Sequence, residues 1–94
     1  MTEHKHKGAR SELIACAWLL EQGYEVYRNV SQHGKVDLIA IKNDKMVYVD
    51  VKTDRPNRSY YRRTVPPPGL AYLLVSPNGE CRWCLPHRIA PEAD

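Results

Sequence analysis

The sequence predicts one small α+β domain, within the broad α/β class, that has an N-terminal helix, a central β-hairpin and a C-terminal β-hairpin. Apolar residues recur with helical period near the start of the chain, and over residues 24–29 they alternate with polar residues as in a strand. Two apolar runs between residues 36 and 53 flank a polar segment of four residues that is typical of a hairpin turn. A chain of 94 residues suits a single domain, which we expect to cover residues 1–94.

The first element is a helix from about Lys7 to Gln22, which Gly23 ends as a C′ residue would. Glu12 falls at the edge of the apolar stripe of this helix. Its carboxylate either faces the interior of the fold or is simply solvated at a boundary position. We expect the buried stripe to consist of Ala9, Leu13, Cys16, Ala17 and Leu20.

A strand is predicted from Tyr24 to Asn29, and a polar loop over residues 31–35 leads from it to the hairpin. His33 in this loop either contacts a substrate or is solvated, as loop histidines usually are.

The central hairpin places charged residues in an unusual position. Its strands are VDLIAI (residues 36–41) and MVYVDV (residues 46–51), and a two-residue turn at Asn43 and Asp44 would put Asp37 directly opposite Asp50. Side chains alternate along a strand, so Lys52 points to the same face as Asp50. Two carboxylates and one ammonium group therefore converge at the open end of an otherwise apolar hairpin.

Two interpretations of this cluster stay open on spacing alone. Carboxylate oxygens suit Mg²⁺ or Mn²⁺, and Lys52 could orient an attacking water or stabilise charge that builds up on phosphorus. Alternatively, Asp37, Asp50 and Lys52 form a structural ion-pair group at a solvated sheet end.

Basic residues follow the hairpin. Arginines interleaved with tyrosines suit phosphate contact combined with base stacking, whereas a solvated charge run is the plainer interpretation. A proline-rich segment, residues 66–69, ends the run and favours extended chain. The residues that we expect to bind nucleic acid are Lys5, Lys7, Arg10, Ser31, His33, Lys35, Arg55, Arg58, Arg62 and Arg63.

The last predicted elements are a buried strand over residues 70–75, a turn at residues 77–79 and a second strand over residues 82–85. Cys81, Cys84 and His87 together invite a zinc interpretation. A structural zinc site needs four ligands, however, and residues 81 and 84 of a strand point to opposite faces, so buried or half-buried thiols are the alternative.

Composition restricts the cellular setting. Three cysteines form no complete disulfide framework, which favours a reducing, cytoplasmic location, where the protein could associate with DNA. The chain has no twenty-residue apolar run and no signal-peptide pattern at its start, so we expect no membrane partner. A net charge of +3 is too small to establish a nucleic-acid partner without the local patterns above.

Four motif positions, taken together, resemble the PD-(D/E)XK nuclease superfamily. They are Gly8 with Glu12, then GYEV at residues 23–26, then DLIA at residues 37–40, and VDVKT at residues 49–53. Within that superfamily the chain is most similar to group I intron-associated homing endonucleases and archaeal Holliday-junction resolvases. The resemblance implies a minimal restriction-endonuclease-like fold, in which a mixed β-sheet is flanked by the N-terminal helix.

The resemblance also implies chemistry. Glu12, Asp37, Asp50 and Lys52 would be the catalytic set, with Glu12, Asp37 and Asp50 on Mg²⁺ or Mn²⁺, and Ser31 is the nearest match to an assisting serine of the resolvases. DNA would be the substrate of a homodimer or homotetramer. We therefore expect a metal-dependent DNA endonuclease, a hydrolase of phosphodiester bonds. The alternatives are a Holliday-junction resolvase and, in another class, a non-catalytic DNA-binding module on the same fold.

Overall fold

The computed structural model describes residues 6–31, 34, 36–54 and 69–84. These residues form a mixed α+β fold in which one helix packs on a five-stranded sheet, as the sequence predicts. The strands follow the order β1-β2-β3-β4-β5, with β3 and β4 parallel and all other neighbours antiparallel. The elements are α1 (Lys7–Glu21), β1 (Glu25–Arg28), β2 (Leu38–Lys42), β3 (Lys45–Thr53), β4 (Leu70–Val75) and β5 (Cys81–Trp83).

Helix α1 has the predicted bounds but a different buried face. Ser11, Ala15 and Leu19 are its buried residues, whereas Leu13 and Leu20 are 56% and 59% exposed. The predicted stripe of Ala9, Leu13, Cys16, Ala17 and Leu20 is therefore wrong; of these residues Cys16 packs against the core, half-buried. The physical reason is Ser11, whose hydroxyl group pairs with the Thr53 hydroxyl at 2.8 Å and can thus be buried near the middle of the contact.

The central hairpin has the predicted turn and register. Asn43 and Asp44 have φ values of 53° and 65°, the left-handed conformation that a two-residue type I′ turn requires at both central positions. The ladder pairs Lys42 with Lys45 and ends with Leu38 opposite Val49. Continuing this register by one residue places Asp37 opposite Asp50.

The two faces of the sheet differ in character. The helix packs on a core in which Leu19, Leu38, Val49 and Leu73 are completely buried, and Trp83 contacts Trp18 edge to face at 6.0 Å between ring centroids. Because side chains alternate, Asp50 and Lys52 project from the opposite face of β3.

The C-terminal hairpin is confirmed with a shorter second strand. Strand β4 spans the predicted residues 70–75, and Gly79 takes the φ of 91° that the predicted turn allows. Strand β5 runs from Cys81 to Trp83, while Leu85 lies outside the described residues. In the described ranges no helix is long and apolar enough to cross a bilayer.

Candidate metal and phosphate site

Asp37 is fixed at the point where β2 and β3 begin to separate. Its backbone N–H donates to the Val49 carbonyl at 2.9 Å, and its carboxylate Oδ2 accepts a hydrogen bond from the Val51 N–H at 2.8 Å. The carboxylate thus takes the place of a backbone partner at the end of the ladder. Backbone and side chain of Asp37 are both held by β3, which gives the carboxylate one defined position.

Asp50 and Lys52 complete a cluster with Asp37. The Lys52 Nζ lies 3.7 Å from Asp50 Oδ2, and their side chains are 36% and 21% exposed. The pKa of the Asp50 carboxyl is raised to about 6: burial is the largest cause, the Lys52 ammonium group opposes it, and the neighbouring Asp37 adds to it. One ammonium group therefore does not fully offset two close, partly desolvated carboxylates.

Tyr72 is a further neighbour of Asp50 and Lys52, and the sequence patterns did not predict it. It pairs with Asp50 across β3 and β4, and the Lys52 Nζ lies 6.0 Å from the centroid of its ring. The apolar run of β4 predicts a buried strand but not which strand β4 pairs with. Only the parallel pairing of β3 and β4 brings the ring beside the cluster.

The loop between β1 and β2 is organised by Asn29. Its side-chain Oδ1 accepts hydrogen bonds from the Ser31 N–H and hydroxyl at 2.8 and 2.9 Å, and its Nδ2 donates to the Val36 carbonyl at 2.8 Å. The Asn29 N–H donates to the Asp37 carbonyl at 3.0 Å. Gly34 approaches so closely that a Cβ there would overlap the Asn29 amide. Asn29 therefore positions the backbone that carries Asp37.

Glu12 and Asp37 line the same open cleft, which has a volume of about 480 Å³. The remaining lining comes from the start of α1 and the Asn29 loop, namely Ala9, Asn29, Val30, Ser31 and Gly34. Glu12 is at the edge of the buried helix face, as the sequence predicts. Its Oε1 accepts a hydrogen bond from Arg28 Nη2 at 3.3 Å.

The carboxylates are thus arranged around Asp37. Asp50 contacts it from the sheet face opposite the helix, and Glu12 shares a cleft with it on the helix side. Among residues 6–31, 34, 36–54 and 69–84, no three His, Cys, Asp or Glu side chains are close enough to hold a metal ion together. Asp37 and Asp50 offer the hard oxygen donors that Mg²⁺ and Mn²⁺ prefer, and Glu12 would have to leave Arg28 to join them.

Most of the predicted nucleic-acid contacts cannot be placed. Lys7 and Arg10 lie in the first turns of α1, with Arg10 exposed, and Ser31 lines the cleft. The others lie outside the described residues: Lys5, His33, Lys35, Arg55, Arg58, Arg62 and Arg63.

The cysteines do not form an obvious metal site in the described region. Cys84 is buried, and Cys81 is half-buried beside the core. Burial raises the pKa of the Cys81 thiol to about 11 and also raises the pKa of Cys84. The burial of Cys84 and the packing of Cys81 against the core favour the interpretation as packed thiols. His87 lies outside the described residues.

Comparison with known proteins identifies the family of this chain. A family model described as "Uncharacterised protein family UPF0102" matches residues 11–68, a range that contains Glu12, Asp37, Asp50 and Lys52. The match covers more than half of the chain, which therefore belongs to this family.

Curated relatives carry the same family description. A UPF0102 protein of Cytophaga hutchinsonii is 41% identical over 58 residues, which are 60% of this chain and 51% of the relative. One of Syntrophus aciditrophicus is 33% identical over 86 residues, 87% of this chain and 59% of the relative. One of Rhodococcus opacus is 48% identical over 50 residues, 51% of this chain and 42% of the relative. The chain spans about half the length of these relatives, and no solved structure matches it significantly.

Proposed function

For this member of family UPF0102 we propose a divalent-metal-dependent endonuclease of the PD-(D/E)XK type that hydrolyses phosphodiester bonds in DNA. One observation carries the proposal: the Asp50 carboxyl lies against Asp37 with the Lys52 ammonium group 3.7 Å away, at the open end of a hairpin. Packing of the core does not require this arrangement, since neutral residues at the end of a hairpin would avoid the electrostatic cost of two adjacent carboxylates.

The donor set fits a hard divalent cation. Two carboxylates in contact repel each other, and this repulsion adds to burial in raising the pKa of Asp50; a cation between them would remove the repulsion. Asp37 and Asp50 would hold the metal, which would polarise a phosphoryl oxygen and acidify a bound water.

The residues of the chain have separate roles in this proposal. The Lys52 side chain is 36% exposed, so its ammonium group can reach a phosphate oxygen and stabilise the charge that develops there. The hydrogen bonds of Asp37 to β3 keep its carboxylate in one orientation. Asn29 holds the loop that precedes Asp37 and thereby fixes the wall of the cleft. The Tyr72 ring lies on one side of Lys52, where it can interact favourably with the ammonium group.

A cleavage panel tests the proposal. Linear duplex, single strand, flap and four-way junction DNA are incubated with the chain in Mg²⁺ or Mn²⁺, beside Asp50→Asn and Lys52→Ala. Each variant has a matched control on the same sheet: Asp54→Asn removes a carboxylate that pairs with Arg82, and Lys42→Ala removes an amine at the hairpin turn. We expect the two site variants to lose cleavage by at least ~10²-fold, the usual effect of removing a group that stabilises developing charge, and the two controls to retain it.

The panel also separates the alternatives. Preference for the four-way junction would identify a resolvase, and binding of every DNA with no cleavage in either metal would identify a DNA-binding module. Cleavage that persists in excess EDTA, or in Asp50→Asn at the wild-type rate, would contradict the metal mechanism. Assembly into a dimer or tetramer stays a prediction, which light scattering at the assay concentration checks.

A further inference from the structure

Arg28 ends β1 beside the proposed site. It pairs with Leu38 in the β1–β2 ladder, one position from Asp37, and its guanidinium Nη2 lies 3.3 Å from Glu12 Oε1. The Arg28 side chain is 54% exposed and that of Glu12 is 22% exposed. Arg28 lines a neighbouring cleft that shares Asn29 with the cleft of Glu12 and Asp37, and its contact with Glu12 links it to the latter.

The contact between Arg28 and Glu12 is poorly suited to stabilising the fold. It is a single contact of 3.3 Å rather than the paired, shorter contacts of a bidentate arginine–carboxylate interaction. Half-exposed ion pairs of this kind contribute little to stability because water screens them. A weak pair is, for the same reason, easily exchanged for another partner.

Glu12 has two possible cationic partners in this geometry. One is the guanidinium group of Arg28, which it contacts, and the other is a divalent cation on the carboxylates of Asp37 and Asp50. The two compete, because both are attracted by the single negative charge of the Glu12 carboxylate. Positive charge on Arg28 also lowers the attraction of the cleft for a divalent ion.

We propose that Arg28 is a phosphate-binding residue of this site. It is held on Glu12 while Glu12 has no metal to bind, and it becomes free to bind a backbone phosphate of the DNA when Glu12 turns to the metal. A guanidinium group presents several N–H donors in a plane that matches phosphate oxygens, and the 54% exposure of the Arg28 side chain leaves donors accessible beside Glu12. This inference rests on the proposed nuclease function and adds a substrate contact to it.

The test measures metal and DNA binding directly. Mn²⁺ affinity is determined by electron paramagnetic resonance for the wild type, Arg28→Gln and Arg28→Lys. DNA affinity is determined by fluorescence anisotropy with a labelled duplex in Mn²⁺, with each Arg28 substitution placed in a Lys52→Ala background to keep the DNA intact. The matched control is Arg82→Gln, since Arg82 and Asp54 form an ion pair with almost the same exposures, 56% and 21%.

The expected result has opposite signs for the two ligands. Arg28→Gln should bind Mn²⁺ about twofold to fivefold more tightly, the fold-change that corresponds to losing a half-exposed ion pair. The same variant should bind DNA more weakly and show a salt slope reduced by about one phosphate contact. Arg28→Lys should recover part of the DNA affinity, and Arg82→Gln should change neither quantity.

Three results would overturn the inference. Unchanged Mn²⁺ affinity in Arg28→Gln would show that Arg28 does not compete with the metal for Glu12. Unchanged DNA affinity would show that Arg28 does not contact phosphate. Either result alone would refute the inference. If the wild type neither binds Mn²⁺ nor cleaves DNA, both the proposed nuclease function and this inference are contradicted. Urea unfolding of every variant verifies that binding is compared between folded proteins.

Discussion

Replacing Asp50 by asparagine should stabilise the metal-free protein at neutral pH while it abolishes cleavage. The wild-type carboxyl is held where its ionised form is unfavourable, because it is largely desolvated and faces Asp37. An asparagine of the same shape carries no charge and can donate a hydrogen bond to the Asp37 carboxylate. The substitution thus removes a cost that the folded state bears and the unfolded chain does not.

The magnitude follows from the pKa of this carboxyl. A rise from the ordinary value of 3.8 to about 6 corresponds to about 3 kcal/mol, since each pKa unit is equivalent to ~1.4 kcal/mol. This value already includes the opposing effect of Lys52, and screening by water at the partly exposed carboxyl reduces it by up to about 1 kcal/mol. We therefore expect Asp50→Asn to raise the free energy of unfolding at pH 7.5 by about 2 to 3 kcal/mol.

The sign of the pH dependence is fixed by the direction of the pKa change. Because the folded-state pKa of Asp50 is higher than that of the unfolded chain, the folded protein binds this proton more tightly between pH 3.8 and about 6. Titration of this carboxyl should therefore lower the wild-type free energy of unfolding as pH rises across that range. Asp50→Asn should lack this part of the slope and should match the wild type most closely below pH 4.

The assay is urea unfolding in EDTA from pH 4 to 7.5, followed by the fluorescence of Trp18 and Trp83, whose rings are in contact across the core. Asp54→Asn is the matched control, because Asp54 has the same exposure but faces Arg82, so its loss should not stabilise the fold. Addition of Mg²⁺ should stabilise the wild type and not Asp50→Asn. An Asp50→Asn variant that is no more stable than wild type at pH 7.5 would refute the reasoning.

Three further predictions concern the support of the site, and urea unfolding measures each one. Ser11→Ala should cost about 1–2 kcal/mol by stranding the Thr53 hydroxyl, whereas combining it with Thr53→Val should recover most of that loss; an additive double variant would contradict this. Gly34→Ala should cost about 1–3 kcal/mol by displacing the Asn29 amide and should weaken Mn²⁺ binding, and unchanged values would show that the loop adapts. Asp44→Gly should gain up to about 1 kcal/mol by relieving a positive φ, and a loss would contradict the turn geometry.

The hairpin was predictable because its information is local. A two-residue turn sets the register, and the register determines which side chains face each other, so Asp37 opposite Asp50 follows from residues 36–52 alone. The contact of Lys52 with Asp50 follows from alternation in the same way. The bounds of α1 were also local, since Gly23 stops the helix wherever the rest of the chain lies.

The features that were missed depend on partners far away in the chain. The buried face of α1 depends on a hydrogen bond between Ser11 and Thr53. Hydrophobic periodicity counts a serine as polar whatever its partner, so it could not predict that Ser11 is buried. Tyr72 reaches Asp50 through a parallel strand pairing that no local pattern encodes. The contact of Arg28 with Glu12 was not predicted because it requires the packing of β1 beside α1.

The turn at Asn43 and Asp44 has a consequence for how this chain tolerates insertions and deletions. It lies six residues from Asp50, roughly 20 Å along an extended strand, yet one residue added or removed there would exchange the two faces of β3. Val49 and Val51 would then point outward, and Asp50 and Lys52 would point at Leu19 and Ala15 of the helix. A hairpin shifted in this way would lose the core and the charged cluster together. The register set by Asn43 and Asp44 thus determines both the packing of the core and the convergence of Asp37, Asp50 and Lys52, so a change at the turn affects the two together.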